Sequence, residues 1–256
     1  MNEESKRHLT SLQQLMSNGG EVETVNVQLP RTGRSYRIAL PTEDSRMMLF
    51  AQARERPGQP QPFWSQLWPS GVALADVLIP NSAALAGVRV LELGSGLGVT
   101  ASVALESGAL LTAVDYTELA LSFCHYNTRM NTGRAPRTMA LNWREPQPEA
   151  LARLTEDGQF PIILAADVLY EGADIAPLIE LTDSLLLPDG VLWLAEPGRK
   201  TAARFLLALA ERGWVGTTEY SDGPWPNGAE VRVYVHKLQR PTQPDWLLSS
   251  LGGWRP

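Results

Sequence analysis

Cysteine and histidine are scarce in this 256-residue chain, which has one cysteine, Cys124, and three histidines, His8, His125 and His236. A single cysteine excludes an internal disulfide and a zinc site built from several thiolates, and the scattered histidines argue against a metal cluster. Unpaired thiols are typical of a reducing compartment. We therefore expect a cytoplasmic protein without a metal site.

The chain also lacks an excess of positive charge and any long apolar run. Acidic residues outnumber basic residues by 28 to 22, so no global positive field attracts nucleic acid or an anionic membrane surface. No apolar run is long enough to span a bilayer, and the charged, polar start MNEESKRHLT is unlike a signal peptide. We therefore expect neither a nucleic-acid partner nor a membrane partner.

Hydrophobic residues make up 44% of the chain, which is enough to bury the core of one large domain. Changes in composition divide the chain into an N-terminal extension at 1–60, a main domain at 61–240 and a C-terminal tail at 241–256. Within the extension, apolar and polar side chains alternate at 25–29 and 35–40. This alternation around a turn predicts a β-hairpin.

From Gly87 onward, short apolar runs alternate with longer helical patterns. Such alternation is typical of a parallel sheet covered by helices on both faces. The predicted strands are 88–93, 110–115, 137–142, 161–167 and 191–196, and the predicted helices are 72–79, 100–106, 117–130, 176–187 and 201–212. Two more strands, 214–220 and 230–237, follow each other without a helix and predict an antiparallel pair at the sheet edge. The expected fold is α/β, with a doubly wound, mostly parallel seven-stranded sheet, an antiparallel last pair and an N-terminal β-hairpin.

The most informative segment is the glycine-rich turn ELGSGLG at 92–98, which follows a predicted strand and precedes a helix. Glycine lets the backbone approach a ligand closely, and the helix N-terminus supplies free N–H donors. Val99 stands where the dinucleotide fingerprint needs a small residue, which disfavours a nicotinamide-dependent oxidoreductase. Asp115 ends the next strand, where a carboxylate can accept hydrogen bonds from ribose hydroxyls. Alternatively, the turn only permits tight packing and Asp115 caps a helix.

ELGSGLG, followed by Val-Asp at the end of the next strand, resembles the cofactor motifs of seven-β-strand S-adenosylmethionine-dependent methyltransferases. Four further motifs extend the resemblance: FWSQLWPSG before the turn, Asn142-Trp143, Asp167-Val168-Leu169-Tyr170 and Glu196-Pro197-Gly198-Arg199. Together they are similar to the small protein lysine methyltransferases related to the enzyme acting on the electron transfer flavoprotein β-subunit, and to nicotinamide N-methyltransferase-like proteins. The resemblance covers about residues 60–240 and implies a Rossmann-like methyltransferase fold with S-adenosyl-L-methionine as cofactor.

The resemblance also implies which residues bind the cofactor. They are Glu92, Gly94, Ser95, Gly96, Gly98, Asp115, Asn142, Trp143 and Trp68. In this assignment the glycine turn holds the methionine part, Asp115 the ribose, and Trp143 stacks on adenine. Asn142 departs from the expected aspartate, but its side-chain oxygen can still accept from the adenine amino group. Ordinary packing is the alternative for the two tryptophans.

Asp167 and Tyr170 follow the fourth predicted strand, and ligands of open α/β sheets bind at the carboxyl ends of strands. The resemblance implies that both residues line the place where methyl donor and acceptor meet, so we assign them as catalytic. Their oxygens can orient an amine, while burial among aromatic side chains lowers its pKa. Helix capping by Asp167 and packing by Tyr170 are the alternatives. Arg199 is expected either to face an acidic partner or to lie in solvent.

The expected function is transfer of a methyl group from S-adenosyl-L-methionine to a lysine side chain of a protein. One alternative acceptor is a small amine or heteroaromatic metabolite, which predicts an enclosed pocket beside Asp167 and Tyr170. Another alternative is a catalytically silent module that binds the cofactor without turnover. The choice between them depends on the site, because one fold serves many acceptors.

Overall fold

The computed structural model describes residues 20–56, 58 and 60–240, together with residues 12, 14 and 16. The predicted C-terminal tail at 241–256 lies outside the described residues. The strands are β1 (Val22–Gln28), β2 (Ser35–Pro41), β3 (Arg89–Leu93), β4 (Leu110–Asp115), β5 (Arg137–Ala140), β6 (Phe160–Ala166), β7 (Leu186–Glu196), β8 (Val215–Ser221) and β9 (Val233–Gln239). The helices are α1 (Glu43–Arg54), α2 (Pro69–Leu78), α3 (Val99–Glu106), α4 (Glu118–Thr132), α5 (Pro148–Leu154), α6 (Ile175–Leu185) and α7 (Lys200–Glu211).

The central sheet has seven strands in the order β5-β4-β3-β6-β7-β9-β8. Strands β3 to β7 are parallel to one another, and β9 is antiparallel to both β7 and β8. The first two strands pair with each other in a separate antiparallel hairpin. The predicted fold class is therefore confirmed, including the antiparallel edge pair and the N-terminal hairpin.

Helices cover both faces of the sheet, and successive side chains of its inner strands point to opposite faces. In β3, Val90 packs into the core shared with α2, α3 and α4, whereas Leu91 packs into the core shared with α6 and α7. Leu29 and Ile38 of the hairpin belong to the first of these cores. Within the described part of the chain, no helix has both the length and the apolar character needed to cross a bilayer.

The hairpin rests on helices instead of joining the central sheet. Asp76 of α2 is buried and accepts hydrogen bonds from the backbone N–H of Arg31 (2.6 Å) and Thr32 (3.0 Å) in the hairpin turn. Asn127 of α4 accepts from Ala39 N at 2.8 Å and donates to Ala39 O at 2.9 Å. These side chains replace strand pairing, because a backbone group buried without a partner is costly.

Two of the helices named above were not predicted. Helix α1 begins after Thr42, whose hydroxyl accepts from Ser45 N, and its first turn carries Glu43 and Asp44. These are N-terminal helix signals, but only Ser45 and Ala53 of this helix are buried, so the sequence shows little apolar periodicity there. Helix α5 has seven residues and buries one side chain, Leu154, which is too little to produce a periodic pattern.

Candidate active site

A cleft lies where the carboxyl ends of the parallel strands β3, β4 and β6 meet at one edge of the sheet. The empty space inside it is about 580 Å³, which includes the part open to solvent. Predicted site residues form much of its wall: Gly94, Gly96, Asp115, Trp143, Trp68, Asp167 and Tyr170. The structure therefore brings together residues from five segments that are separated along the chain.

The glycine turn is held against the end of β4 by hydrogen bonds. The backbone N–H groups of Gly94 and Ser95 both donate to Val114 O, at 2.9 and 3.1 Å, and Gly96 N donates to an Asp115 carboxylate oxygen at 2.8 Å. Gly94 has φ of 70°, and a Cβ atom there would lie 2.8 Å from Val168 Cγ1. A side chain at position 94 would therefore be strained and would intrude on the cleft.

Gly98 has a different surrounding from the other glycines of the turn. It lies at the start of α3 with φ of 76°, and it does not line the cleft. A Cβ atom at this position would lie 3.0 Å from both Cα and Sγ of Cys124 in α4. Gly98 thus permits close packing of two helices. Cys124 is fully buried and belongs to the core.

Two buried carboxyl groups lie next to the glycine turn. Glu92 is 3% exposed, and within the described residues its Oε2 has no hydrogen-bond partner. Burial, followed by the nearby charge of Asp115, raises the pKa of Glu92 to about 8. Burial also raises the pKa of Asp115 to about 6, against the opposing effect of N–H donors from Gly96, Tyr116 and Thr117. Such a pair favours a cationic ligand, because a positive charge stabilises both ionised forms.

Trp143 is oriented by a buried aspartate. Its indole Nε1 donates to Asp174 Oδ1 at 2.8 Å, and Arg144 Nε donates to the same oxygen at 2.7 Å. Asp174 is fully buried. Asn142 lies in an adjoining cleft that shares Trp143 and Tyr170 with the first, and its Oδ1 accepts from Arg144 N at 3.1 Å. The ring plane of Trp143 is thus fixed at the junction of the two clefts.

Asp167 has an unusual backbone and a cationic partner. Its φ of 56° is in the left-handed region, which is uncommon for residues other than glycine and often marks functional sites. Arg199 Nε donates to its Oδ1 at 2.9 Å, and Ser70 Oγ donates to its Oδ2 at 3.3 Å. Burial raises the pKa of Asp167, while Arg199 and Ser70 act in the opposite direction. Of the two expectations for Arg199, an acidic partner or solvent, the structure shows an acidic partner, and that partner is Asp167 of the same chain.

Aromatic rings surround Tyr170 at one side of the cleft. Phe63 packs edge-on against Tyr170, with ring centroids 5.1 Å apart, and against Trp68 at 6.1 Å. Trp68 Nε1 donates to Phe63 O at 2.7 Å, which fixes the turn of the segment before α2. Burial raises the pKa of Tyr170 to about 12, so its hydroxyl stays protonated at neutral pH. A protonated phenol can donate or accept a hydrogen bond but is not a base.

Sequence reasoning missed Phe63, Ser70 and Arg199 as site residues, although all three lie in the quoted motifs. Arg199 could have been found, because the carboxyl ends of neighbouring parallel strands meet at one edge and would bring it close to Asp167. No local signal distinguishes Ser70 from an ordinary first-turn serine. Glu92, Ser95 and Gly98 adjoin the site through the turn but do not line the cleft.

Comparison with known proteins connects this site to one family. A family model described as lysine methyltransferase matches residues 59–212. The chain is 34% identical over 123 residues to the electron transfer flavoprotein beta subunit lysine methyltransferase of Mus musculus, covering 47% of this chain and 44% of the relative. It is 31% identical over 159 residues to the protein N-lysine methyltransferase METTL21A of Danio rerio, covering 60% of this chain and 70% of the relative.

A third relative is the histone-arginine methyltransferase METTL23 of Xenopus laevis, 30% identical over 131 residues, with 50% of this chain and 54% of the relative covered. The chain thus spans about half the length of most of the curated relatives it matches. The N-methyltransferase NodS of Bradyrhizobium japonicum has the same fold, with a TM-score of 0.52, 15% identity, and 76% and 99% of the two chains covered. A 16S rRNA methyltransferase of T. thermophilus gives a TM-score of 0.54 at 16% identity, with 86% and 51% covered.

Proposed function

The chain belongs to the lysine methyltransferase family, and on that premise we propose that it transfers a methyl group from S-adenosyl-L-methionine to a lysine side chain of a protein. The resemblance predicted from the motifs is confirmed by this membership. The relatives named above are methyltransferases of proteins, which favours a protein acceptor over a small metabolite. The lysine acceptor and the identity of the protein that carries it are parts of the proposal.

One observation carries the proposal: a single cleft joins the glycine turn and Asp115 to the Asp167 and Tyr170 pair. The turn and Asp115 would hold the nucleoside and methionine parts of the cofactor. The unpartnered, buried carboxyl oxygen of Glu92 and the raised pKa values of Glu92 and Asp115 suit a ligand with positive charges. When bound, S-adenosylmethionine supplies a methyl group on a positively charged sulfur, from which a neutral amine can take it.

The residues around Asp167 would prepare the acceptor. The carboxylate of Asp167 and the hydroxyl of Tyr170 can accept hydrogens from an amine and so orient its lone pair. Phe63, Trp68 and Tyr170 enclose the space in aromatic surface, which lowers the pKa of an amine by excluding water from its charged form. With the phenol protonated, no strong base is present in this arrangement, and positioning with desolvation provides the rate acceleration.

Calorimetric titration and label transfer test the proposal. We expect binding of S-adenosylmethionine and S-adenosylhomocysteine but not of NAD, and entry of methyl label into a protein of a cell extract. Asp167→Ala should abolish label transfer and spare cofactor binding, whereas Asp189→Ala, an exposed carboxylate of β7, should change neither. Absence of binding by both sulfur nucleosides would contradict the cofactor. Binding without transfer to any acceptor would favour the silent module.

A protein arginine side chain is the second candidate acceptor, because METTL23 relatives match at 30% identity over 115 to 131 residues. Mass spectrometry of the labelled protein distinguishes the two acceptors. Methylation adds one CH₂ group, about 14 Da, and the fragment that carries it contains either a lysine or an arginine. Label only in the small-molecule fraction would favour a metabolite acceptor instead.

Location and domain limits are further parts of the proposal. We propose a cytoplasmic location because the single cysteine, Cys124, is a free thiol. We also propose the extension at 1–60 and the domain at 61–240 as separate segments of one folding unit, because the hairpin shares a core with the sheet. Cell fractionation and limited proteolysis measure these two points.

A further inference from the structure

Two segments of the chain converge on the carboxylate of Asp167. Arg199, after β7, contacts Oδ1 through Nε at 2.9 Å and through a terminal guanidinium nitrogen at 2.8 Å. Ser70, in the first turn of α2, donates to Oδ2 at 3.3 Å and is fully buried. The Asp167 side chain is 6% exposed and yet lines the cleft. Oδ1 is thus occupied by a cation, while Oδ2 has one long hydrogen bond and remaining capacity to accept.

Arg199 is itself held in place from behind. Glu196 Oε2 accepts from the backbone N–H of Gly198 at 2.6 Å and of Arg199 at 2.9 Å. His236 Nε2 lies 3.4 Å from the other Glu196 oxygen. The guanidinium also lies 6.0 Å from the ring centroid of Trp68, within reach of a cation–π attraction. Such support is what a residue needs in order to fix the geometry of a neighbour.

We propose that Arg199 is a positioning residue that keeps Asp167 ionised and oriented, so that Oδ2 can accept a hydrogen from the acceptor amine. This role rests on the proposed function, because it requires an amine to meet Asp167 in the cleft. Arg199 does not touch the reacting atoms and acts through Asp167 alone. The proposal assigns a specific task to the Glu-Pro-Gly-Arg turn, which the assignment of Asp167 and Tyr170 as catalytic residues left open.

The charged groups around Asp167 determine how its pKa would change if Arg199 were replaced. The groups near its carboxylate are Arg199 after β7, Glu196 at the end of β7, Ser70 of α2 and Tyr170 after β6. His236 of β9 lies behind Glu196. The charges of Asp174, Arg144, Asp115 and Glu171 also act on the Tyr170 hydroxyl. Without Arg199, burial and the Glu196 charge would both raise the pKa of Asp167 with little opposition. Loss of a cation at this distance raises a carboxyl pKa by about 1–3 units.

Sinefungin is a probe that needs no identified acceptor. In this analogue of S-adenosylmethionine, a carbon bearing an amine replaces the methylated sulfur, so that an amine occupies the reacting position. S-adenosylhomocysteine shares the remaining parts of the molecule. The ratio of the two affinities therefore cancels the effects of the shared parts on Glu92 and Asp115, and its change between variants at Arg199 and Asp167 reports what Asp167 does to the amine. We would measure it by calorimetry from about pH 6 to 8, where an alkyl amine of pKa about 10.4 is protonated in water.

The proposed role of Arg199, which opposes the effect of burial on the pKa of Asp167, predicts that the affinity ratio of the unchanged protein varies less than about threefold across this range. In Arg199→Met the ratio should fall as the pH decreases, by up to about tenfold per unit below the new pKa of Asp167. Arg199→Lys keeps the charge and should retain the flat profile. Arg212→Met, an exposed arginine at the far end of α7, is the matched control and should also be flat.

The Asp167→Asn variant tests whether Arg199 acts through Asp167. It should lower the ratio at every pH, and adding Arg199→Met should lower it no further, because Arg199 acts through Asp167. The double variant also removes the carboxylate that Arg199→Met leaves buried, so it remains measurable if the single variant fails to fold. A flat profile for Arg199→Met, or a further loss in the Asp167→Asn background, would overturn the positioning role. If S-adenosylhomocysteine does not bind the unchanged protein, the proposed function fails and the positioning role with it.

Discussion

Replacing Glu92 with glutamine should make the free energy of unfolding less dependent on pH. Glu92 is buried beneath the glycine turn, and burial raises its pKa from 4.5 to about 8. Between these values the folded protein holds a proton that the unfolded chain has released. Stability from this group is therefore complete below pH 4.5 and decreases as the pH rises toward about 8. Glutamine does not titrate and removes this dependence.

The size of the effect follows from the number of protons. One proton bound only in the folded state changes the free energy of unfolding by about 1.4 kcal/mol per pH unit. Asp115 contributes in the same direction, but its raised pKa is about 6, so most of its effect on the free energy of unfolding occurs below about pH 6.5. The interval from about pH 6.5 to 7.5 therefore isolates Glu92. Over that unit, the unchanged protein should lose about 1.4 kcal/mol from this source and Glu92→Gln should lose none.

Urea denaturation at about pH 6.5, 7.0 and 7.5 measures the slope, with the denaturant dependence checked for constancy. Glu180→Gln, which removes an exposed carboxylate of α6, is the control and should retain the slope of the unchanged protein. If Glu92→Gln keeps that slope as well, Glu92 is ionised in the folded protein at neutral pH. The reasoning that its buried, unpartnered carboxyl holds a proton would then be refuted.

The same group links cofactor binding to pH. A ligand with positive charges favours the ionised form of Glu92, so binding of S-adenosylmethionine should release a proton near pH 7. The affinity should increase with pH up to about 8, the pKa of Glu92 in the free protein. Calorimetry in two buffers of different ionisation enthalpy measures the released proton directly. In Glu92→Gln, a release smaller than in the unchanged protein is expected; equal release would assign the proton to another group.

Two further predictions concern Gly98 and Trp143. Gly98→Ala and Gly133→Ala should each lower the free energy of unfolding by about 1–2 kcal/mol, because both positions have left-handed backbone angles. Gly98→Ala should lose about 1–3 kcal/mol more, because its Cβ would lie 3.0 Å from Cys124. Thermal unfolding compares them, and equal losses would show that the helices can move apart. Trp143→Phe should cost about 1–3 kcal/mol of stability by removing one of the two donors to the buried Asp174 Oδ1, yet keep cofactor affinity within a few-fold. Trp143→Ala should lose about 1–3 kcal/mol of binding free energy in calorimetry, and equal affinity losses for the two variants would contradict stacking.

The strands and the glycine turn were predictable because their signals are local. Apolar runs of five to seven residues mark β3, β4 and β6, and the turn after β3 needs glycine at position 94 for its backbone angle. The paired strands β8 and β9 were predictable because no helical pattern separates them. Helix α1 was missed although Thr42 caps it, since it buries too few side chains to show a period.

The role of a single residue was harder to predict than the fold. Gly98 belongs to the glycine motif, but its neighbour is Cys124 of α4, and this contact depends on how two helices cross. Trp143 is visible as an aromatic residue after a strand, whereas its partner Asp174 follows 31 positions later. Sequence motifs therefore identified the residues near the site without indicating which of them contact each other.

By itself, the sequence determined the class of fold, the position of the glycine turn and the family, because periodicity and turn chemistry act over a few residues. Only the tertiary structure decided the surroundings of Asp167. Its partners Ser70 and Arg199 are 97 and 32 positions away, and they meet it because α2 begins beside β6 and because β6 and β7 are neighbours in the sheet. The charge of Asp167 depends on burial and on these contacts, which no segment of the sequence carries alone.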